Sequence, residues 1–270
     1  MKKLSVVIPT YQRTALLREC LRLLNPEVQG WELAHYEVIV TDDCPSASAR
    51  TQLAQEFPWV KWIQGPGRGP SANRNNGIQH AEATLILLTD DDCLPQTQWL
   101  SAYWEAHNQH PQAFLEGKTL ADRPQQRWDE EAPINQEGGL GWSCNIAFAK
   151  HAFLQVGGFD EGFPYPAMED VDFHFRMTAQ FPAVFVPKAL IIHPWRRIEP
   201  WKRTRMQYAS RLYFYRKHQS RLGKAYRWHM SKSFLVTVLQ GGWQLLQFGG
   251  KGFSAYLAQC VLRFKLIFGK

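Results

Sequence analysis

Short unbroken apolar runs alternate, along the first half of the chain, with stretches whose apolar residues recur every three or four positions. Residues 4–9, 36–41, 59–63, 84–89 and 183–186 are such runs, rich in β-branched and large aliphatic side chains. Without polar alternation they suit strands covered on both faces, as in a parallel sheet. Between the first two, Ala15, Leu16, Leu17, Cys20, Leu21, Leu23 and Leu24 keep helical spacing until Pro26 stops the pattern. A second helix is predicted over 48–57, ending before Pro58, and a third over 71–81. The order βαβαβαβ predicts an α/β fold with ligands at the carboxyl ends of the strands. Residues 122–141, rich in Pro, Gly and acidic groups, predict a long loop of the kind that often carries function. The Gly- and Pro-rich residues 157–164 predict another, delivering a helix whose first turn holds Glu169, Asp170 and Asp172 and which stops before Pro182.

Charge divides the chain in two. Residues 196–270 hold 16 of the 31 Lys and Arg but one of the 24 Asp and Glu, so this segment carries +15 while the first 195 residues carry −8. The sign change sets the predicted boundary: a globular body over 1–195 and a basic helical extension over 196–270, drawn to a polyanion. In residues 201–228 cations interleave with aromatics, as in helices that lie in a membrane interface. Residues 234–248 are apolar but fall short of the roughly 20 residues needed to span a bilayer. Phe253, Tyr256, Leu257, Cys260, Val261, Phe264 and Phe268 mark one helical face. In-plane association with an anionic membrane surface is therefore expected, with packing against the globular body as the open alternative. Nucleic acid is set aside as a partner, because no zinc-finger, RNP or helix-turn-helix signature accompanies the charge.

With 270 residues, 45% of them hydrophobic, the chain supports one large domain plus an appendage and excludes global disorder. The five cysteines are odd in number and form no C-x-x-C pair, which fits a reducing, cytoplasmic compartment. The apolar run behind Lys2 and Lys3 is stopped by Pro9 without a small-residue cleavage site, so no secretory leader is read there.

Three acidic constellations could carry chemistry. Asp90, Asp91 and Asp92 follow the apolar run 84–89 directly, and a divalent cation with oxygen ligands would relieve their mutual repulsion. In an extended segment Asp90 and Asp92 lean to one side and Asp91 faces away; an acidic turn is the plain structural alternative. Asp42 and Asp43 end the second run, where an Asx-turn or helix cap is the alternative. Glu169 and Asp170 open the helix after the glycine-rich loop and would serve equally as its caps; Asp172 and Arg176 stand at pairing distance along it.

Six stretches stand in an order that resembles family 2 glycosyltransferases of the GT-A fold. They are Ser5-Val6-Val7-Ile8-Pro9-Thr10-Tyr11-Gln12-Arg13, Asp42-Asp43, the ten residues from Gly69 to Ile78, Asp90-Asp91-Asp92, Gly157-Gly158-Phe159-Asp160, and Glu169-Asp170-Val171-Asp172. The resemblance covers roughly residues 4–195. It implies a nucleotide-sugar binding half over 1–95 and an acceptor half over 96–195, fused in one domain with a mostly parallel central sheet flanked by helices.

For single residues the resemblance implies that Pro9, Thr10, Tyr11 and Arg13 line the nucleotide pocket, with Asp43 on the base and Arg74 on the nucleotide. Gly77 would allow the third helix to pack closely. Asp90 and Asp92 resemble a DxD motif that binds Mn²⁺ or Mg²⁺: the second carboxylate holds the ion on the diphosphate, the first lies nearer the ribose, and Asp91 between them falls with the donor-binding residues. Asp170 matches the catalytic base of an inverting enzyme. His193, after the apolar run 190–192, is a third metal or phosphate contact in this scheme. Trp142, Asn145 and Glu169 fall on the acceptor side, where a buried structural Trp is the alternative for Trp142. His107 and His110 are read as surface residues, and the Cys93 thiol, beside three carboxylates, as unreactive.

The chemistry agrees with this assignment. A cation on the diphosphate would stabilise the leaving group as a Lewis acid, and one carboxylate would deprotonate the acceptor hydroxyl from the opposite face. The expected activity is metal-dependent, inverting transfer of a sugar to a glycan or lipid-linked acceptor at the inner face of the cell membrane. Two alternatives fit the sequence less well. A nucleotidyltransferase would need a glycine-rich phosphate loop after the first strand, where Pro9-Thr10-Tyr11-Gln12-Arg13 has no glycine. A membrane-docked binding protein with an inactive domain would have no chemical reason to keep Asp90, Asp92 and Asp170.

Overall fold

The computed structural model describes residues 2–223 and 225–268. In chain order its elements are β1 (Leu4–Thr10), α1 (Thr14–Leu23), α2 (Pro26–Gln29), β2 (Tyr36–Asp42), α3 (Ser48–Leu53), β3 (Val60–Gln64), α4 (Pro70–Gln79), β4 (Leu85–Thr89), β5 (Leu94–Pro95), α5 (Trp99–Gln109) and β6 (Phe114–Ala121). They continue with β7 (Glu130–Glu131), β8 (Asn145–Ala149), α6 (Lys150–Gln155), α7 (Glu169–Met177), β9 (Ala183–His193), β10 (Arg196–Arg197), α8 (Pro200–Lys217), α9 (Gln219–Leu222), α10 (Ala225–Gln247) and α11 (Phe253–Phe268). The chain divides into two compact units: Met1–Asp122, Pro133–Glu161 and Glu169–Pro194 form the first, and Arg123–Ala132, Gly162–Met168 and Trp195–Lys270 the second.

The first unit is built on an eight-stranded sheet of order β3-β2-β1-β4-β8-β6-β9-β5. From β3 to β4 every pairing is parallel. The strands are apolar throughout because both faces are covered, and alternation sends neighbouring residues to opposite cores. Leu4, Val6, Ile8, Val38, Val40, Leu85 and Leu87 pack on one side with Leu17 and Leu21 of α1 and Trp99 and Tyr103 of α5. Val7, Ile39, Ile86 and Leu88 pack on the other with Phe148, Phe153, Phe159 and Phe173. Helix α4 crosses β1 closely at Gly77, where an added Cβ would lie 2.4 Å from Val7 Cγ1.

Predicted and observed elements differ where tertiary contacts decide the ends. Helix α3 stops at Leu53 rather than residue 57. The run 183–186 and the run at 190–192 are one strand, β9, whose register against β6 shifts between Gly117 and Lys118. Pro187 lies in that strand and has no N–H to give a ladder, which fits an irregularity there. Strand β6 has no counterpart among the predicted runs, because Glu116 and Gly117 interrupt its apolar stretch, and the acceptor-side strand that the resemblance implies at 142–145 is β8, which begins at Asn145.

Two inner stretches separate from the block 1–195 and belong to the second unit, for reasons of bonding. Strand β7 pairs antiparallel with β10, setting Glu130 and Glu131 opposite Arg197 and Arg196. Trp128 Nε1 donates to the Gly241 carbonyl at 2.8 Å, and Ser210 Oγ donates to the Tyr165 carbonyl at 3.2 Å. Helices α10 and α11 form an antiparallel hairpin: Tyr256 Oη donates to the Val238 carbonyl and Arg263 Nε to Ser233 Oγ, each at 3.1 Å. Its inner residues Met230, Leu262, Leu266 and Ile267 pack with Tyr208 and Leu212 of α8. Among the described residues no helix is long and apolar enough to cross a membrane. Lys224, part of the stretch in which cations and aromatics interleave, lies outside the described residues, as do the side chains of Tyr226 and Arg227.

Candidate active site

Strand direction gathers the site. β1, β2 and β4 are parallel, and the two antiparallel steps through β8 return β6, and with it β9, to the same direction. Thr10, Asp42, Thr89 and His193 therefore end their strands at one edge of the sheet, the edge on which α/β sheets bind ligands.

The three aspartates after β4 do not continue as an extended segment. The Cys93 amide donates to the Asp90 carbonyl at 3.2 Å and closes a turn, so the expected arrangement, with Asp90 and Asp92 on one side and Asp91 facing away, does not hold. Asp91 and Asp92 instead share a cation: Arg13 Nη1 donates to Asp91 Oδ1 at 3.1 Å and to Asp92 Oδ2 at 2.9 Å. Thr10 Oγ1 also donates to Asp91 Oδ2 at 2.7 Å. Burial pushes the Asp91 carboxyl up to about 6, against the pull of Arg13 and Thr10. Asp90 turns to Arg74, whose Nη2 lies 3.0 Å from its Oδ1.

The same Arg74 reaches the start of α7 through Nη1, 3.1 Å from Glu169 Oε1. This guanidinium is buried and its Cζ stands 5.6 Å from the Phe159 ring centroid. Burial alone would lower its pKa, and Asp90 and Glu169 reverse that direction. Glu169 Oε2 is buried and has no hydrogen-bond partner among the described residues. Beside it, Asp170 accepts from the Val171 amide at 2.8 Å, and burial, followed by the neighbouring Glu169, pushes its carboxyl up to about 7.

Asp42 and Asp43 divide their work. Asp42 accepts from the Cys44 and Ala49 amides at 2.9 and 3.0 Å, the turn-and-cap role open to it from sequence. Asp43 accepts from Gly67 and Gly69 at 3.0 and 3.1 Å, two glycines at positive φ. Burial raises its pKa, and these amides oppose the shift. Pro9 is buried at the end of β1, whereas Tyr11 is exposed.

Two acceptor-side candidates have structural work. Trp142 is half-buried against the core, and its Nε1 donates to the Ile134 carbonyl at 3.2 Å. Asn145 departs from an acceptor role: buried, it donates to the Lys118 and Ala189 carbonyls at 2.9 and 3.0 Å. Its Oδ1 accepts from Trp99 Nε1 at 2.9 Å and Tyr103 Oη at 2.8 Å. Both ends of its amide are thus committed to the bulged β6–β9 ladder and to α5.

Sequence reasoning missed Glu116 and Asn75. Buried Glu116 accepts from the Leu140 and Gly141 amides at 3.0 and 2.8 Å, and its Oε1 lies 3.3 Å from His174 Nε2 on α7. Burial would raise its pKa, but His174 and the Gly141 and Gly139 amides hold it below the usual range. A Cβ at Gly141 would lie 2.4 Å from the His174 ring, so only glycine allows this approach. Asn75 accepts from the Phe159 amide and donates to the Phe159 carbonyl, both at 2.9 Å, fastening the glycine-rich loop to α4. A lone carboxylate within the apolar stretch before Gly117 was the available signal for Glu116.

His193 tests the site for a cation. Its Nδ1 lies 2.8 Å from the Pro194 carbonyl, which only accepts, so Nδ1 carries the proton. A neutral ring then points the Nε2 lone pair at Asp92 Oδ1, 3.2 Å away, an arrangement that needs a proton or a cation between them. The backbone bond to the other ring nitrogen is the usual support of a metal-binding histidine. Cys93 brings a third ligand atom within 4.8 Å of these two, yet burial pushes its thiol pKa well up, which disfavours the thiolate a metal requires. A carboxylate and an imidazole are donors that suit a divalent cation, with further oxygen ligands completing the set.

The sequence model described as Glycosyl transferase family 2 matches residues 5–149, more than half of the chain. The chain belongs to this family. A second model, Glycosyltransferase like family 2, matches residues 139–226. Among family members, the chain is 26% identical over 266 residues to validoxylamine A glucosyltransferase of Streptomyces hygroscopicus subsp. jinggangensis, covering 81% of this chain and 62% of that one. It is 31% identical over 97 residues to GalNAc(5)-diNAcBac-PP-undecaprenol beta-1,3-glucosyltransferase of Campylobacter jejuni, covering 34% of this chain and 30% of that one. The chain spans less than two thirds of the length of the curated relatives it matches. The crystal structure of S. aureus TarS 1-349 in complex with UDP shares the fold, with a TM-score of 0.56 at 22% identity over 77% of this chain and 64% of that one.

Proposed function

We propose that this chain transfers a sugar, with inversion, from a nucleotide-sugar donor to a hydroxyl of a glycan or lipid-linked acceptor. The observation that carries the reading is Arg74, which joins Asp90 at the donor edge to Glu169 at the start of α7 and so brings the neighbouring Asp170 into the same cluster. UDP bound to TarS supports a uridine diphosphate sugar as the first donor to test.

Pro9, Thr10 and Tyr11 would flank the nucleotide, Asp43 would receive the base through lone pairs left by Gly67 and Gly69, and Arg13 and Arg74 would meet the diphosphate and ribose. Asp92 and His193 would hold Mn²⁺ or Mg²⁺; Asp90, committed to Arg74, serves the ribose side. The bound ion supplies Lewis-acid stabilisation of the diphosphate leaving group. Asp170, ionised at neutral to alkaline pH, takes the proton of the acceptor hydroxyl as it attacks opposite the leaving group. Glu169 Oε2, without a hydrogen-bond partner among the described residues, is available to orient that hydroxyl, and Trp142 flanks the acceptor side.

The basic segment 196–270 and the lipid-linked substrate named for the C. jejuni relative favour peripheral work at the inner face of a membrane. The test is a nucleotide-sugar panel with Mn²⁺ or Mg²⁺, read by thermal shift and by release of nucleoside diphosphate. Binding and slow hydrolysis of one donor are expected; no shift and no turnover across the panel would remove the reading.

A further inference from the structure

Helix α10 is apolar on two sides. Its inner side, Met230, Thr237, Gly241 and Leu245, is buried at helical spacing. The opposite side repeats the spacing in contact with solvent: Leu239 is 71% exposed, Trp243 65% and Leu246 76%, with Leu235 one turn before them. Helix α11 does the same, burying Ala255, Ala258, Leu262 and Leu266 while Phe253, Leu257, Phe264 and Phe268 stand outside. A helix of a water-facing layer shows charges on that side; here an apolar stripe takes their place, and unpartnered apolar stripes of this extent mark an interaction surface.

Charge identifies the occupant. No Asp or Glu occurs after Glu199, so all ionised side chains of α8 to α11 are cationic. Lys232, Lys251 and Lys265 are exposed on the hairpin, and Lys232 Nζ stands 5.9 Å from the centroid of the exposed Trp228 ring. Outward Trp, Phe and Leu beside Lys, without acids, suit the boundary between acyl chains and anionic headgroups, where rings sit at headgroup depth and lysines reach outward.

We infer that the outer side of the α10–α11 hairpin inserts in plane into an anionic bilayer surface. This deepens the membrane reading of the proposed function by naming the inserted element and by adding an apolar contribution that salt does not screen.

The experiment is flotation of the full chain with phosphatidylcholine vesicles, with and without phosphatidylglycerol, at low and high salt, alongside sedimentation without vesicles. The unaltered chain should float with anionic vesicles and remain partly bound at high salt. Leu239→Glu with Leu246→Glu, both outside the core, should lower partitioning by roughly tenfold or more while leaving donor-induced thermal shift unchanged. Quenching of tryptophan emission by brominated lipid should diminish in Trp243→Phe. No flotation at low salt, equal flotation of the double variant, or complete release by salt would overturn the inference. A dimer in the unaltered chain that the double variant dissolves would also overturn it, by assigning the stripe to a second copy. Donor binding without flotation defeats this inference alone, and flotation without donor binding defeats only the proposed transfer.

Discussion

Arg74 Nη1 donates to Glu169 Oε1 at 3.1 Å across 95 positions of sequence, with both side chains buried. Replacing Arg74 by Ala leaves Glu169 and Asp90 as uncompensated carboxylates, a change that costs about 3–5 kcal/mol when a buried pair is broken. Urea unfolding should show that loss. Arg74→Lys keeps the charge but not the fork that spans both partners, so its midpoint should fall between the two; a midpoint equal to the unaltered chain would remove the bridge.

Asp170→Asn should lower transfer by about 10²–10⁴-fold while donor binding by calorimetry stays within error. Because the Asp170 carboxyl is pushed up to about 7, kcat/KM of the unaltered chain should fall as pH drops below that value. Stability carries the opposite sign. A folded pKa above the unfolded one favours folding at low pH, and this contribution is lost as pH rises through about 7. The Asn variant should therefore gain melting temperature relative to the unaltered chain above that pH.

Manganese binding, followed by the electron paramagnetic resonance of the free ion, should weaken roughly tenfold or more in Asp92→Ala and in His193→Ala. Chelation should abolish turnover in the unaltered chain and added Mn²⁺ should restore it. Ion affinity unchanged in both variants would move the metal away from the pair now 3.2 Å apart.

Asn145→Ala should act on stability. The substitution strands Trp99 Nε1, Tyr103 Oη and the carbonyls of Lys118 and Ala189 in the core, at about 1–3 kcal/mol for each buried group left unpaired. Thermal unfolding should report it, with KM for the acceptor unchanged in the fraction that remains folded.

The N-terminal half was legible because its strands are apolar on both faces and their spacing against helical stretches is unambiguous; β1, β2 and β4 lie within a residue of the predicted bounds. The order of motifs identified the family, which the match over residues 5–149 shows. What failed was local geometry. Period-two reasoning placed Asp91 on the far side, but the turn closed by Cys93 rotates it back to Thr10 and Arg13. Resemblance alone puts Asn145 on the acceptor side; its partners, Trp99, Tyr103, Lys118 and Ala189, lie on other elements and cannot be inferred from spacing. The second unit's claim on 123–132 and 162–168 was hidden for the same reason, since Trp128 and Tyr165 find their partners in the basic segment.

Glu116 gives one carboxylate to two neighbours, the amides of Leu140 and Gly141 and the ring of His174. The strand that carries it thereby fixes loop and helix independently of what lies further out along the loop. Under the proposed transfer, specificity for new acceptors would be reached by exchanging outer loop residues as a cassette, provided two backbone amides and one glycine stay in place. An engineer grafting such a cassette should screen first for His174 ring mobility, since loosening there would signal that the helix bearing Asp170, the proposed base, has come adrift.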